Sequence, residues 1–260
     1  MIKIERQREL KKIIKGREFV SIADILKLLN CSESTLRRDL KEMEKMGLLM
    51  QSQGVVIWRS EHLEHEKQPE MIYRYRQGQN VEIKRQLGAY AAQFIKESDT
   101  LFLDTGTTMI ELAKQLPDIP LTVVTNDLQI AMELEEKYNV STIILGGYVR
   151  RGTHTVIGGI DSCLESFHFQ KAFFSPAGVD PLGEFMFFNL QAMDIRAKAH
   201  AVAEHTVMVV DHSKFGKKAF VKGFGFEDCD LLIADHFPNS EEFDWEIFLS
   251  SRIGDIRLLD

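Results

Sequence analysis

The sequence predicts an α/β protein with a small N-terminal winged helix-turn-helix and a larger Rossmann-like α/β domain. Near the N-terminus, two short helical patterns joined by a tight turn precede two short strands. From residue 101 onward, short apolar strands alternate with helical stretches, a rhythm typical of a mainly parallel sheet covered on both faces. Charge divides at the same place: residues 1–59 hold 13 Lys and Arg against 8 Asp and Glu, and residues 60–260 hold 19 against 31.

Composition limits the possible classes of protein. A chain of 260 residues with 44% apolar residues can bury one large and one small core, which excludes a disordered protein. Cys31, Cys163 and Cys229 show no paired or metal-type spacing, and the charged N-terminus does not match a signal peptide. No apolar run is long enough to cross a bilayer. We therefore expect a cytoplasmic protein without membrane partners.

The first 58 residues predict three helices and a wing. A helix over residues 4–15 ends at Gly16, a second follows a Ser21 cap, and a third begins at Ser32 and ends at Gly47. The inward positions of these helices are apolar: Leu10, Ile13, Ile14, Ile22, Ile25, Leu26, Leu29, Leu36, Leu40 and Met43. Residues 47–58 add two short strands around a turn, which is the shape of a wing.

The third helix is the predicted contact with double-stranded operator DNA. In a helix-turn-helix the second member lies in the major groove with its early residues towards the bases. The predicted contacts are Ser32, Ser34, Thr35, Arg37, Arg38 and Lys41. A solvated helix face is the alternative for the two arginines, but the small residues before them and the basic excess favour DNA. Phosphates repel a carboxylate, so we expect Asp39 to orient an arginine through an ion pair.

Residues 59–80 predict a linker that is partly helical or packed through Met71, Ile72, Tyr73 and Tyr75. His62 and His65 stand among glutamates, but three-residue spacing in a charged segment is weak evidence for a metal. We therefore predict neither a metal site nor a cofactor. An amphipathic helix is expected from 81 to about 96, and the sensing domain should span residues 81–260.

An anion cradle is predicted where the strand beginning at Leu101 meets a helix. The strand ends at Asp104, and Gly106 among three threonines lets the backbone turn tightly towards a ligand. The hydroxyls and the first free N–H groups of the helix then point at one spot, where a phosphate or carboxylate fits. A bare strand-to-helix turn remains the alternative, because the spacing of Thr108 to Glu111 also fits a capping box.

Ligands in parallel sheets gather beyond the carboxyl ends of the strands, and five such ends here are polar or glycine-rich. The predicted effector-binding residues are Asp104, Thr105, Gly106, Thr107, Thr108, Thr125, Asn126, Gly146, Gly147, Asp180 and Lys214. Each strand end alone has a structural alternative: Asn126 or Asp127 as a helix cap, Gly146 and Gly147 as a turn, and Asp180 as turn chemistry. Lys214 would neutralise the anion, with a free surface lysine as the alternative.

Two sets of motifs resemble the DeoR family of bacterial transcriptional regulators. The runs Ser21-Ile-Ala-Asp-Ile-Leu and Ser34-Thr-Leu-Arg-Arg-Asp-Leu look like its winged helix, and Leu103-Asp-Thr-Gly-Thr-Thr, Leu145-Gly-Gly and Asp211-His-Ser-Lys-Phe-Gly look like its sensor. The resemblance implies a sensor related in fold to ribose-5-phosphate isomerases and CoA transferases. It also implies a repressor of sugar catabolism that a phosphorylated sugar releases from DNA.

The sequence departs from the family pattern in three places. The wing has Gln51-Ser-Gln-Gly54 instead of basic residues before paired glycines, and Ser175-Pro176-Ala177 replaces Gly-Ala-Asp. Where the family has Glu-Glu-Ala-x-Val-Lys, this chain has Gln191-Ala-Met-Asp-Ile-Arg196, which follows an aromatic stretch over residues 183–188. We expect that stretch to be a loop that closes over a ligand or forms a dimer contact.

The leading prediction is a non-enzymatic repressor that binds a small phosphorylated sugar and acts as a homodimer or higher homo-oligomer. A sugar-phosphate isomerase with an accessory DNA-binding module is the alternative, with Asp104, Asp180 or Asp211 as the base. Against the isomerase, no second acid or base partner stands out at a strand end. An activator with the same domains also remains open.

Overall fold

The computed structural model describes residues 3–15, 17, 19–29, 31–46, 48–52, 54–58, 68–158, 161–238, 244–250 and 252–259. It forms two compact units, residues 1–79 with 151–153 and residues 80–150 with 154–260. The division into segments 1–58, 59–80 and 81–260 stays a prediction. His62 and His65, whose spacing was weak evidence for a metal, lie outside the described residues, as do the glycines Gly16 and Gly47 that were expected to end helices.

The first unit contains the predicted helix-turn-helix and wing. Its elements are α1 (Lys3–Lys15), β1 (Val20–Ser21), α2 (Ile22–Leu28), α3 (Glu33–Lys45), β2 (Leu49–Ser52), β3 (Val55–Trp58) and α4 (Gln68–Gly78). The three strands form an antiparallel sheet in the order β1-β3-β2. Leu10, Ile14, Ile25, Leu36 and Leu40 are fully buried between the helices and this sheet, which confirms the apolar spacing as the core of the unit.

Side-chain contacts hold α1 and α3 together at a charged position. Asp39 on α3 is buried, and its Oδ1 accepts a hydrogen bond from Nη2 of Arg6 on α1 at 3.2 Å. The prediction that Asp39 pairs with an arginine is confirmed, and the arginine comes from a neighbouring helix. The hydrogen bond to Asp39 raises the pKa of Arg6, so the guanidinium stays protonated.

The second half of the predicted linker packs in the first unit. Helix α4 places Tyr75 edge-on against Phe19, with 5.3 Å between ring centroids, and Tyr73 is buried. Val55 and Ile57 of β3 lie in the same apolar cluster. The described part of this segment is therefore a helix that packs on the first unit, in line with the expectation of a partly helical or packed linker.

The second unit alternates strands and helices. Its elements are α5 (Val81–Ala92), β4 (Thr100–Leu103), α6 (Thr107–Gln115), β5 (Leu121–Thr125), α7 (Leu128–Glu135), β6 (Val140–Ile144), β7 (Tyr148–Val149), β8 (Val156–Ile157), β9 (Phe169–Phe174), β10 (Gly178–Asp180), β11 (Glu184–Phe187), α8 (Met193–Ala201), β12 (Ala203–Val210), β13 (Val221–Gly225), β14 (Leu231–Ala234), α9 (Trp245–Ser250) and β15 (Asp255–Leu258). Seven strands form one sheet in the order β15-β14-β12-β9-β4-β5-β6. Every neighbouring pair is parallel, which confirms the predicted α/β fold class.

Helix α5 ends at Ala92, four residues before the predicted end. The N–H groups of Gln93, Phe94 and Ile95 donate to carbonyls three residues back. Such bonds tighten the last turn out of α-geometry, so the chain leaves the helix early.

The aromatic stretch over residues 183–188 is not a loop, so the expectation of a loop that closes over a ligand was wrong, while a dimer contact stays a prediction. Residues 184–187 form β11, the middle strand of a second, antiparallel sheet in the order β10-β11-β13. Phe185 and Phe187 are buried in the main core of the unit. Met186, between them, is also buried, so the strand is covered on both faces and shows no polar alternation that would have predicted it.

Among the described residues, no helix is both long and apolar enough to cross a membrane.

Candidate functional site

The predicted DNA-contacting side chains form one face of α3. Ser34, Arg37, Arg38 and Lys41 are exposed, and their spacing of three, four and seven residues aligns them along the helix. The opposite face carries buried apolar residues such as Leu36. The structure therefore brings these four predicted residues together on a polar stripe.

Within that stripe the two arginines differ. Arg37 donates from Nε to Oε1 of Glu33, one turn earlier, at 2.8 Å. Within the described part of the chain, no carboxylate or other hydrogen-bond partner reaches Arg38 or Lys41. Arg38 and Lys41 are therefore the two cations of this polar stripe whose charge is not compensated by a described residue.

Ser32 and Thr35 serve the start of α3. The hydroxyl of Ser32 accepts a hydrogen bond from the Thr35 N–H at 3.3 Å and lies 2.8 Å from the Thr35 hydroxyl. Ser32 is thus the N-cap of α3, and serine is one of the residue types preferred at that position. Contact of Ser32 or Thr35 with DNA stays a prediction.

The anion cradle begins at Asp104, which is fully buried at the end of β4. Gly106 has φ 142° and is the N-cap of α6, so the helix begins at Thr107. The capping-box interpretation of Thr108 and Glu111 was wrong, because Thr108 already lies inside the first turn and is buried. Glycine alone adopts the Gly106 backbone geometry readily, and this starts the helix two residues earlier. A Cβ added at Gly106 would meet nothing within 4 Å, so space is open in front of the cradle.

Arg196 on α8 is the main residue of this site that sequence reasoning missed. Its Nε donates to Oδ2 of Asp104 at 2.7 Å, and its Nη2 reaches the Thr105 hydroxyl at 3.5 Å. The guanidinium lies over the ring of Phe187 in β11, 4.5 Å from the centroid. Both members of the ion pair are buried, with side-chain exposures of 6% and 0%. A sequence signal for this residue was available, because Arg196 stands where the family motif Glu-Glu-Ala-x-Val-Lys has its lysine.

Three buried acceptor oxygens lie at the ends of β4 and β5. They are Oδ1 of Asp104, Oδ1 of Asn126 and Oδ2 of Asp127, and none of them accepts a hydrogen bond from a described residue. Asp127 uses its other oxygen to cap α7, accepting from the Gln129 N–H at 2.9 Å. Buried polar atoms are nearly always hydrogen-bonded in native proteins, so this edge of the sheet is suited to a ligand that donates hydrogen bonds.

Burial raises the pKa of both carboxyl groups at these strand ends. It raises the pKa of Asp127 to about 7, although N–H groups of Gln129, Ile130 and Gly106 act in the opposite direction. Burial also raises the pKa of Asp104, against the opposing effect of the Arg196 guanidinium. Asp127 therefore changes charge close to neutral pH.

Two predicted positions have structural roles. The Thr125 hydroxyl donates to the Leu103 carbonyl at 2.8 Å and accepts from the Asp127 N–H at 3.1 Å, which ties the ends of β4 and β5 together. At Gly147 a Cβ would lie 1.8 Å from the Gly158 carbonyl oxygen, so any side chain would clash with the segment after β8. Gly146 and Gly147 follow β6 at the edge of the sheet.

A second polar group surrounds Asp211 at the end of β12. Its carboxylate accepts from Asn80 Nδ2 at 2.9 Å and lies 3.6 Å from Nζ of Lys214. Burial alone would raise the pKa of Asp211, but Lys214, hydrogen bonds from Ser213 and Asn80, and the buried Lys84 together lower it. Lys214 is thus held in an ionic network, and the alternative of a free surface lysine is excluded.

Asp180 does not lie at an end of the main sheet. It belongs to β10, where its Oδ1 accepts from the Leu182 N–H at 3.1 Å and its Oδ2 lies 3.4 Å from Nζ of Lys218. The turn interpretation of Asp180 accounts for these contacts.

The strand order separates the remaining predicted residues into two groups, with Gly146 and Gly147 apart from both after the edge strand β6. The central group lies at β4 and β5 and contains Asp104, Thr105, Gly106, Thr107, Thr108, Thr125 and Asn126, with Asp127 and Arg196 added by the structure. The lateral group is Asn80, Lys84, Asp211 and Lys214 at β12. One strand, β9, lies between β12 and β4, so the two strand ends are about 10 Å apart. The ends of β12 and β6 are about 19 Å apart by the same spacing, too far for one small ligand to reach both.

Family models match both units of the chain. The model described as a DeoR-like helix-turn-helix domain matches residues 6–61, and the DeoR C terminal sensor domain matches residues 79–236. The chain belongs to the DeoR family. It is therefore a DNA-binding transcriptional regulator, as the winged helix predicted.

Curated relatives cover nearly the whole chain. The lactose phosphotransferase system repressor of Streptococcus mutans is 33% identical over 90% of this chain and 93% of its own length. The uncharacterised helix-turn-helix regulator YulB of Bacillus subtilis is 30% identical, over 90% of each chain. The transcriptional repressor GlcR of the same organism is 28% identical over 92% of this DeoR-family chain and 91% of its own.

Solved structures also show similar regions. Ribose 5-phosphate isomerase A from Methanocaldococcus jannaschii aligns with a TM-score of 0.39 and 14% identity over 52% of this chain and 55% of that one.

Proposed function

We propose that this DeoR-family regulator is a repressor of a sugar-utilisation operon and leaves its operator when a phosphorylated sugar or similar small anion occupies the central group. Two relatives that span almost the whole chain are named repressors, and one of them belongs to a lactose phosphotransferase system. These names support the sign of regulation and the class of effector.

The observation that carries the effector class is the composition of the central group. Arg196 and the first N–H groups of α6 supply donors for phosphate oxygens. The unpartnered oxygens of Asp104, Asn126 and Asp127 supply acceptors for hydroxyl groups. A phosphorylated sugar carries both kinds of group, whereas inorganic phosphate at neutral pH has few protons to donate to these oxygens.

Binding without turnover is the proposed role of Asp104. Abstraction of a proton next to a carbonyl needs a carboxylate that is free to approach the carbon. Oδ2 of Asp104 is held by Arg196, and Asn126 beside it does not titrate. We therefore expect no interconversion of aldose and ketose phosphates. Turnover measured with the purified protein would establish the isomerase alternative instead.

The proposed DNA contacts are Ser32, Ser34, Thr35, Arg37, Arg38 and Lys41 on α3. A single winged helix offers few base contacts, so we propose that a homodimer or higher oligomer binds two operator half-sites in the cytoplasm. The effector would act by favouring one arrangement of the oligomer over another.

A thermal-shift experiment with phosphorylated and unphosphorylated sugars tests the proposal. A true effector at a hundred times its dissociation constant stabilises the protein by about 2.7 kcal/mol, so the midpoint of unfolding should rise. The rise should be absent in Asp104→Asn and present in Asp194→Asn, an exposed carboxylate on the same helix as Arg196. Equal rises in both variants would place the ligand outside the central group.

A further inference from the structure

We propose that His212, Asp235 and His236 form a binding site for a divalent transition-metal ion such as Zn²⁺. Among the described residues, these are the one group of three or more potential ligands whose donor atoms converge, all within 4.8 Å of one another. Neither the family models nor the names of the relatives assign a metal to this position. The two histidines are 24 residues apart in sequence, so no ligand spacing predicted the site.

Adjacent strands bring the three side chains together. β12 and β14 are parallel with Val210 opposite Ala234, so the chain leaves both strands at the same height. Asp235 follows β14 directly, and His212 follows β12 after one residue. The sheet register therefore fixes the spacing of His212 and Asp235.

The geometry resembles a metal site with an oriented carboxylate. Oδ1 of Asp235 accepts from the backbone N–H of His212 at 2.6 Å, which turns Oδ2 towards the two imidazoles. Nδ1 of His212 lies 2.5 Å from Oδ2, and Nδ1 of His236 lies 3.2 Å from it. The rings are nearly parallel, with centroids 4.4 Å apart. Metal-binding carboxylates are commonly fixed in this way by a second hydrogen bond.

Both imidazoles direct their Nδ1 atoms at Oδ2 of Asp235. In one tautomer each Nδ1 donates a hydrogen bond to this oxygen, and in the other each Nδ1 presents a lone pair that can bind a metal ion together with Oδ2. Zn²⁺ binds such ligands at about 2.0–2.2 Å, which places tetrahedral ligand atoms roughly 3.3 Å apart. The separations of the two Nδ1 atoms from Oδ2, 2.5 and 3.2 Å, come within about 1 Å of this value.

The ligand set indicates the class of ion. Two imidazoles and one carboxylate suit Zn²⁺ and its neighbours Co²⁺ and Ni²⁺, whereas Mg²⁺ and Ca²⁺ prefer oxygen ligands alone. Three protein ligands leave a coordination position for a ligand atom from solvent. Side-chain exposures of 31% for His212 and 61% for His236 give an ion access from solvent.

The site joins β14 to the segment that carries the lateral group. His212 stands between Lys214 and Asp211, and Asp211 accepts a hydrogen bond from Asn80 just before α5. A bound ion would therefore fix the end of β12 without touching the central group. The proposal is independent of the effector assigned above.

Metal binding to the full chain, prepared without a histidine tag and freed of metal by chelation, tests the proposal. Titration with Co²⁺, followed by its visible absorption, should show one saturable equivalent per chain, and Zn²⁺ should displace it. Both ions should raise the melting temperature. His236→Ala and the double variant His212→Gln/His236→Ala should lower the affinity at least tenfold.

His168→Ala is the matched control, because His168 is an exposed histidine with one carboxylate partner, Glu204, at 2.8 Å. It should bind one equivalent as the wild type does. His236 has no role in the core, so its single variant decides the question if the double variant does not fold. The proposal is overturned if the wild type shows no saturable binding, or if His236→Ala binds Co²⁺ as tightly as His168→Ala.

Discussion

The two units place their functional polar residues in opposite environments. On α3 the candidate DNA contacts are exposed and stand on a core of apolar residues close to them in sequence. In the sheet unit the candidate carboxylates are buried and paired over long separations, 92 residues for Asp104 and Arg196 and 131 for Asn80 and Asp211. Replacing a residue on α3 should therefore change binding alone, whereas replacing a central-group residue should change binding and stability together.

The largest expected effect is on the Asp104–Arg196 pair. Arg196→Ala leaves a buried carboxylate without its partner, which typically costs about 3–5 kcal/mol. Denaturant unfolding followed by the fluorescence of Trp245, in a Trp58→Phe background, reports the sheet unit selectively.

Arg257→Ala is the control for that measurement. Arg257 is also paired with an aspartate, at 2.9 Å, but both side chains are about half exposed. Its loss should cost less than about 1 kcal/mol. Equal costs for the two variants would show that the Arg196 pair is not buried in solution.

The second effect belongs to α3. Arg38→Ala should weaken operator binding by about 1–3 kcal/mol while the free energy of unfolding stays within about 0.5 kcal/mol of the wild type. Arg37→Ala should show a smaller loss because Arg37 is already paired with Glu33. Fluorescence anisotropy with labelled operator at several fixed salt concentrations measures both.

Lys12→Ala provides the comparison for α3, since Lys12 is an exposed cation on α1 that pairs with Glu9 at 2.7 Å. It should bind operator nearly as the wild type does. If Lys12→Ala and Arg38→Ala lose the same affinity, general charge and not the face of α3 determines binding.

The third effect is a pH dependence at Asp127. Its folded pKa of about 7 exceeds the unfolded value of about 3.9, so the folded state holds the proton more tightly. The stability from this group is complete below about pH 4 and is lost as the pH rises to about 7. Asp127→Asn keeps an N-cap but cannot ionise, so its stability relative to the wild type should increase by about 2–3 kcal/mol between pH 5 and pH 8.

Chemical unfolding across that pH range measures the difference. Asp118→Asn, which changes an exposed aspartate of the same unit, should give a curve parallel to that of the wild type. A parallel curve for Asp127→Asn as well would mean that the Asp127 carboxylate is solvated.

The smallest expected effect concerns Ser32, which caps α3 and is also a proposed DNA contact. Loss of the N-cap in Ser32→Ala should destabilise the first unit by about 1 kcal/mol. Ser32→Asp should restore the cap while its carboxylate weakens operator binding through repulsion from phosphates. Wild-type operator affinity in Ser32→Asp would show that Ser32 does not face DNA.

The two units also differ in how far their structure could be predicted from the sequence, because contacts are local in the first and long-range in the second. The helices α1–α3 and the wing are local, and their apolar spacing and serine caps predicted them. Four of the five predicted strand ends were also correct, because each is an apolar run followed by polar residues or glycines, whereas Asp180 belongs to the second sheet.

The arrangement of those strand ends in space was not predictable. Pairing of Arg196 with Asp104 depends on α8 lying near β4, and the two groups of polar residues depend on β9 lying between β4 and β12. Neither property leaves a periodic signal in the sequence. The strand β11 was missed for a related reason, since burial on both faces removes the alternation that identifies a strand.

The most direct test measures operator release by the intact chain. An operator selected from a random duplex pool is labelled, and anisotropy is followed during titration with pentose and hexose phosphates. The account predicts that at least one sugar phosphate releases wild-type protein, while Asp104→Asn binds the operator normally and stays bound. Release of Asp104→Asn at the same concentration, or release of the wild type by none of the sugar phosphates, would contradict it.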